Sequence, residues 1–183
     1  MKPALACLLL VLSSLFYSLL RYCVFGNVEW HQQLYLLNKA LAMVAALSLL
    51  FSAWYGWRKL RQASRFWGQV VLHCASLHIV LSLTLLPQGY YPRLLIDEGF
   101  SFIGGLSLLF GMSCGYICGL LVIQSPRPSQ VKTPNEQRKF THKFNYTFLL
   151  LILLSSTLIL HLMTLGFNGW LTPKQWLGYL PPI

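Results

Sequence analysis

The stretch VVLHCASLHIVLSL, residues 70–83, decides the class of fold. It carries no Asp, Glu, Lys or Arg, and its flanks extend the uncharged run to 67–86. About 20 such residues, rising 1.5 Å each, are what an α-helix needs to cross the roughly 30 Å hydrocarbon core of a bilayer. Two histidines, His73 and His78, interrupt the run. Strongly polar side chains at membrane depth are candidates for function, so the same stretch that sets the fold also raises the question of the site.

The rest of the chain agrees with the class. It has 183 residues, of which 56% are hydrophobic and 10% charged, with a mean hydropathy of +0.58. Soluble domains carry roughly 25% charged residues. Five apolar runs are read as transmembrane helices: 5–20, 34–57, 67–86, 102–123 and 146–165. The expected fold is therefore all-α, a single polytopic membrane helix bundle of five spans. The first run is preceded by Lys2, as in a signal peptide. The stretch Ser-Leu-Phe-Tyr-Ser offers no small-residue cleavage site, however, and Arg21-Tyr22 suits an interfacial anchor.

Orientation follows from the basic residues. Ten of the 14 Lys and Arg lie at Lys2, in the connection after the second run (Arg58, Lys59, Arg61, Arg65) and in the connection 124–145 (Arg127, Lys132, Arg138, Lys139, Lys143). Arg21, Lys39, Arg93 and Lys174 lie on or near the other side. This asymmetry predicts an N-terminus inside, a C-terminal tail (166–183) outside and 124–145 as a cytoplasmic loop. It also accounts for the net charge of +10 without nucleic acid as a partner. The lipid bilayer is the expected partner, and the expected location is a bacterial inner membrane.

Several chemistries find no support. No GxGxxG, Walker-type GxxxxGK or HExxH occurs. Cys114 and Cys118 are four apart, not a CxxC pair, and Cys23 is the lone cysteine expected outside. The connection 124–145, with three prolines and mixed charges, reads as a loop. The outer connections and tail carry Trp30, Tyr90, Tyr91, Trp170, Trp176 and Tyr179, which suit an interfacial aromatic belt that caps the bundle.

The histidines are the candidate ligands. On the predicted topology the third and fifth runs both point outward, and His78 and His161 lie in the outer half of the bilayer, about 6 Å apart in depth at 1.5 Å per residue. Two facing imidazoles would serve as the axial ligands of one b-type haem held between helices. The alternative is that each forms a helix–helix hydrogen bond. His73 is five residues from His78, about 140° around the helix, and faces elsewhere. It and His142, at the cytoplasmic edge of the fifth run, would enter only if a second haem exists. His31 falls in an outer connection. Arg21 and Lys39, near the outer ends of the first two spans, either snorkel to headgroups or pair with haem propionates, with Asn38 as a further donor. Gly111, Gly115 and Gly119, spaced by four, allow close approach of either a helix or a haem ring.

Residues 61–86, a span opening FIGGLSLLFG and the stretch RKFTHKFNYTFLLLILLSSTLILHL together resemble the ferric reductase-like transmembrane domain family. Arg65, Gly68 and Leu77-His78 carry the first part of the pattern, and His142, Tyr146 and Leu160-His161 the second. The resemblance implies b-type haem and transmembrane electron transfer, with a quinol or a flavoprotein as donor and a redox partner on the outer face or in the cytoplasm. His142 and His161 are nineteen apart rather than about thirteen, and Ser155 stands where a second ligand of the pair is expected, which argues for one haem. Two other readings stay open: a membrane scaffold or assembly subunit whose histidines only pack, and a transporter, for which intramembrane acids and broken-helix repeats are lacking.

Overall fold

The computed structural model describes residues 3–24, 32–86, 95–96, 99–124 and 134–165, and of 134–145 only the helical backbone. Among the described residues five α-helices follow one another: α1 (Pro3–Leu19), α2 (Gln33–Trp57), α3 (Arg61–Leu85), α4 (Phe102–Gln124) and α5 (Pro134–Leu165). Four segments are long and apolar enough to cross a membrane, Pro3–Val24, Gln33–Trp57, Arg61–Leu85 and Phe102–Leu121, and a shorter apolar helical segment, Leu149–Thr164, lies in α5. The chain is a multi-pass membrane protein by the length and composition of its helices. The boundaries follow the apolar runs closely because helix is the structure that satisfies its own backbone groups in hydrocarbon.

Two segments depart from the sequence reading. Helix α5 begins at Pro134, so the basic half of the expected loop 124–145 is helical. The sequence TPNE at 133–136 has the N-cap, first-turn proline and third-position glutamate of a helix start, and a run of Lys, Arg, Gln and Asn placed after it continues the helix. Second, a short antiparallel ladder precedes α4, with Leu95 opposite Phe100 and Ile96 opposite Gly99. Gly99 has φ +155°, a conformation a side chain would obstruct. The aromatic-belt residues Trp30, Tyr90, Tyr91, Trp170, Trp176 and Tyr179, together with His31, lie outside the described residues.

Helix α1 ends in a π-helical turn, Leu20–Val24, that carries the buried Arg21 and Tyr22. Ser14 and Ser18 are buried on α1, and Ser48 on α2. Small residues of this kind let helices approach closely where no hydrophobic force drives them together.

Helices α2 and α3 form a tight hairpin. Lys59 adopts φ 58°, and the Leu60 and Lys59 N–H groups donate to the Tyr55 and Gly56 carbonyls at 2.9 and 3.0 Å. This is the Schellman arrangement, here with lysine in the left-handed position that glycine usually takes. Just beyond the turn two hydroxyls clasp the helices. Ser52 Oγ donates to the Ser64 carbonyl and Ser64 Oγ to the Ser52 carbonyl, each at 2.9 Å. Gly56 and Gly68 make room for them, since a Cβ at either would stand 3.4 or 3.5 Å from one of these hydroxyls.

The apolar core falls into two parts. Tyr22, Tyr35, Leu36 and Leu85 cluster where α1 and α3 end and α2 begins. Val71, Ile117, Cys118, Leu150 and Leu154 cluster toward the opposite end. Between them, in sequence and in space, lies a layer of polar side chains.

Candidate functional site

The polar layer consists of Asn38 from α2, His78 and Ser82 from α3, Ser107 from α4 and His161 from α5. Asn38 is fully buried one turn inside the start of α2. Its Nδ2 donates to Ser82 Oγ at 2.9 Å. His78 Nδ1 donates to Asn38 Oδ1 at 2.7 Å and lies 3.2 Å from the Asn38 backbone carbonyl. His161 Nδ1 donates to the Ser107 backbone carbonyl at 2.8 Å, with Ser107 Oγ 3.5 Å away.

These contacts fix the tautomers. A carbonyl oxygen only accepts, so the proton of each neutral ring sits on Nδ1 and the lone pair on Nε2. A metal-binding imidazole is commonly prepared in this way, with one nitrogen tied to a carbonyl and the other left as donor. Among the described residues, neither Nε2 takes part in a hydrogen bond. His78, His161 and Lys39 are close enough for their charges to act on one another, so the two imidazoles, remote in sequence, share one locality.

The other sequence candidates take the following places. Arg21 is 4% exposed, buried against the other helices. Its Nη1 donates to the Tyr17 hydroxyl at 2.6 Å, and the guanidinium lies 5.9 and 5.7 Å from the Tyr17 and Tyr22 ring centres. Lys39 Nζ is 5.1 Å from the centre of the Tyr35 ring, and Tyr35 meets Tyr22 edge to face at 5.7 Å. Arg21 and Lys39 are themselves within electrostatic reach of each other. Two cations on a tyrosine pair thus border the layer beside His78, a field that favours an anion.

Gly111 lies directly against His161. A Cβ there would stand 3.0 Å from Cε1 and 3.3 Å from Nδ1. At Gly115 a Cβ would stand 2.6 Å from Ile79 Cδ1, so this glycine lets α4 approach α3. The two positions therefore receive protein side chains and do not form an open groove. Gly119 has nothing within 4 Å of a Cβ. His73 is exposed, with Nδ1 2.7 Å from the Gln69 carbonyl of its own helix, on a different face from His78 as its spacing predicts. The side chain of His142 lies outside the described residues. No cluster of three or more His, Cys, Asp or Glu able to hold a metal ion occurs among the described residues, which leaves the pair of imidazoles.

Ser107 and Ser82 are not singled out by the sequence, and neither is the contact Asn38 makes: its oxygen accepts from His78, and its nitrogen donates to Ser82. The usable signal was rarity: Asn38 is the only Asn or Gln inside the 34–57 run. No family model, no curated protein and no solved structure matches the chain.

Proposed function

We propose that the chain is a five-span protein of a bacterial inner membrane, N-terminus inside and C-terminus outside, that binds one b-type haem through His78 and His161 and carries electrons from a quinol or flavoprotein to an acceptor at the outer face. The observation that carries this reading is the paired preparation of the two imidazoles: each Nδ1–H is committed to a carbonyl of the adjacent helix, and each Nε2 keeps its lone pair in the same layer. The donor set, two imidazole nitrogens in an otherwise apolar surround, would hold a b-type haem. The haem would supply a reversible one-electron change at iron. The chain's own residues do the rest. Asn38 and the Ser107 carbonyl orient the rings and raise their basicity. Arg21 and Lys39 offset the negative charge of propionates, and the two apolar clusters keep water from the layer. The likeness to the ferric reductase-like transmembrane domain family in the third to fifth spans supports the same reading.

A second reading rests on the same hydrogen bonds. Each satisfies an imidazole donor without any cofactor, and such bonds between membrane helices average about 0.6 kcal/mol. The chain would then be a scaffold or assembly subunit. A dithionite-reduced minus oxidised spectrum of the protein purified in detergent from haem-replete cells separates the two, with a pyridine haemochrome count. A sharp α-band at one haem per chain, lost in both His78→Ala and His161→Ala, is the expected result. A colourless protein refutes the haem reading and leaves the scaffold.

A further inference from the structure

Helix α3 has a second polar face. Gln69, His73, Ser76, Val80 and Leu83 are all exposed, and none belongs to the layer around His78. Their spacing is four, three, four and three, the repeat by which one helix presents a seam to another along its length. Three of the five are polar, and His73 and Ser76 fall near the middle of the 67–86 run, where a bilayer offers no hydrogen-bonding partner.

The other exposed serine and threonine hydroxyls of the apolar helices avoid that problem within their own helix. Ser13, Thr84, Ser155 and Ser156 each donate to a carbonyl three or four residues back, at 2.9 to 3.0 Å. Ser76 makes no such bond among the described residues, nor does the Gln69 side chain. His73 commits Nδ1 to the Gln69 carbonyl and so holds its Nε2 lone pair outward, by the reasoning applied to His78. The face thus presents an acceptor, the His73 Nε2, between two donors, the Gln69 amide one turn before it and the Ser76 hydroxyl one turn after.

We infer that this face is the contact between two copies of the chain, α3 against α3 in parallel. Copies inserted with the same orientation place equal depths side by side. In a parallel seam a side chain meets its counterpart and the residues one turn away. His73 of each copy then accepts from Gln69 or Ser76 of the other, and Val80 and Leu83 fill the remaining seam. The pattern is self-complementary, which is what a two-fold contact between identical chains requires. A polar residue at one seam position also fixes the register.

The test uses the full-length chain in native membranes. Oxidative cross-linking of Ser76→Cys and of Leu83→Cys is expected to give a covalent dimer well above the wild-type background, and Leu109→Cys, exposed on α4, is expected to give none. In liposomes of graded protein-to-lipid ratio, energy transfer between chains labelled at the N-terminus is expected to show a dimer. Replacement of His73 by Leu should weaken it about eightfold through loss of two symmetric hydrogen bonds. Three results would overturn the inference. One is a wild type that stays monomeric at every ratio, alone or with a different protein. Another is cross-linking at Leu109→Cys equal to that at Ser76→Cys. The last is a His73→Leu variant that dimerises normally but loses haem, which would make His73 a ligand. The inference stands apart from the haem reading, since a colourless protein would be tested in the same way.

Discussion

Replacement of Asn38 by leucine tests the site most directly. The two side chains share one branched heavy-atom skeleton, so the change removes the hydrogen bonds while keeping the side chain's shape, with two methyl groups somewhat larger than the atoms they replace. Asn38 is fully buried, and its amide links His78 at 2.7 Å to Ser82 at 2.9 Å. In the leucine variant the His78 N–H keeps only the backbone carbonyl at 3.2 Å, a contact at the long limit of an N–H···O bond. Loss of the residue that orients a metal-binding histidine typically costs 10–100-fold in affinity. The expected outcome is therefore a 10–100-fold rise in the dissociation constant for haem, measured by titrating apo-protein with hemin and following the Soret band. Unfolding of the apo-protein in parallel should show a loss of only about 0.6 to 1.7 kcal/mol, the range for hydrogen bonds between membrane helices. Asn38→Asp supplies a charged acceptor to the same N–H, which strengthens donation from the ring to iron and should lower the midpoint potential. A leucine variant with wild-type haem affinity and potential would refute the idea that this contact prepares His78. Equal loss of apo-stability and haem affinity, with no change in potential in Asn38→Asp, would assign the contact to helix packing alone.

Other expectations follow from single contacts. Gly111→Ala places a methyl 3.0 Å from His161 Cε1, tight enough to shift the ring by a few tenths of an ångström; haem retention should fall, while Gly119→Ala, open on all sides, should retain haem as wild type does. Ser52→Ala and Ser64→Ala each remove one hydroxyl but leave the other bonded to a backbone carbonyl. The two Oγ atoms also lie 3.5 Å apart, so the costs, about 0.6 kcal/mol each, should not add: a double-mutant cycle read by denaturant unfolding in detergent should show a coupling of at least about 0.5 kcal/mol. Lys59→Gly relieves a left-handed lysine, a conformation that costs roughly 1–2 kcal/mol, and should raise the melting temperature. A lower Tm would mean that the Lys59 side chain stabilises the turn by more than its backbone costs.

The extents of the helices were legible because apolar length is nearly all that a membrane span needs, and residues 70–83 already contained that signal. The start of α5 was hidden because charge and proline read as loop in a membrane context, although TPNE followed by Gln, Arg and Lys also writes an exposed helix. His78 and His161 could be singled out as polar groups at similar depth. Their partners could not, because the Ser107 group that holds His161 is a backbone carbonyl, which every residue carries alike. Asn38 was visible as an oddity within an apolar run, but only packing of α2 on α3 shows which of its two amide atoms meets the histidine. Glycine spacing indicates close approach on α4 but does not tell that α5 comes near at Gly111, α3 at Gly115 and neither at Gly119.

The hydrogen bonds of the polar layer divide along the helical hairpins. His78, its partner Asn38 and Ser82 belong to α2 and α3, and His161 with its partner Ser107 and with Gly111 belongs to α4 and α5. Each hairpin therefore carries a finished half-site, and the fit of α4 on α3 at Gly115 and Ile79 sets how the halves meet. A ligand gripped by both would act as a staple, its binding energy added to the docking of one hairpin on the other. Chains severed between residues 87 and 94 and expressed together would then reassemble more firmly with the ligand than without it, and the strength of reassembly would report occupancy of the site.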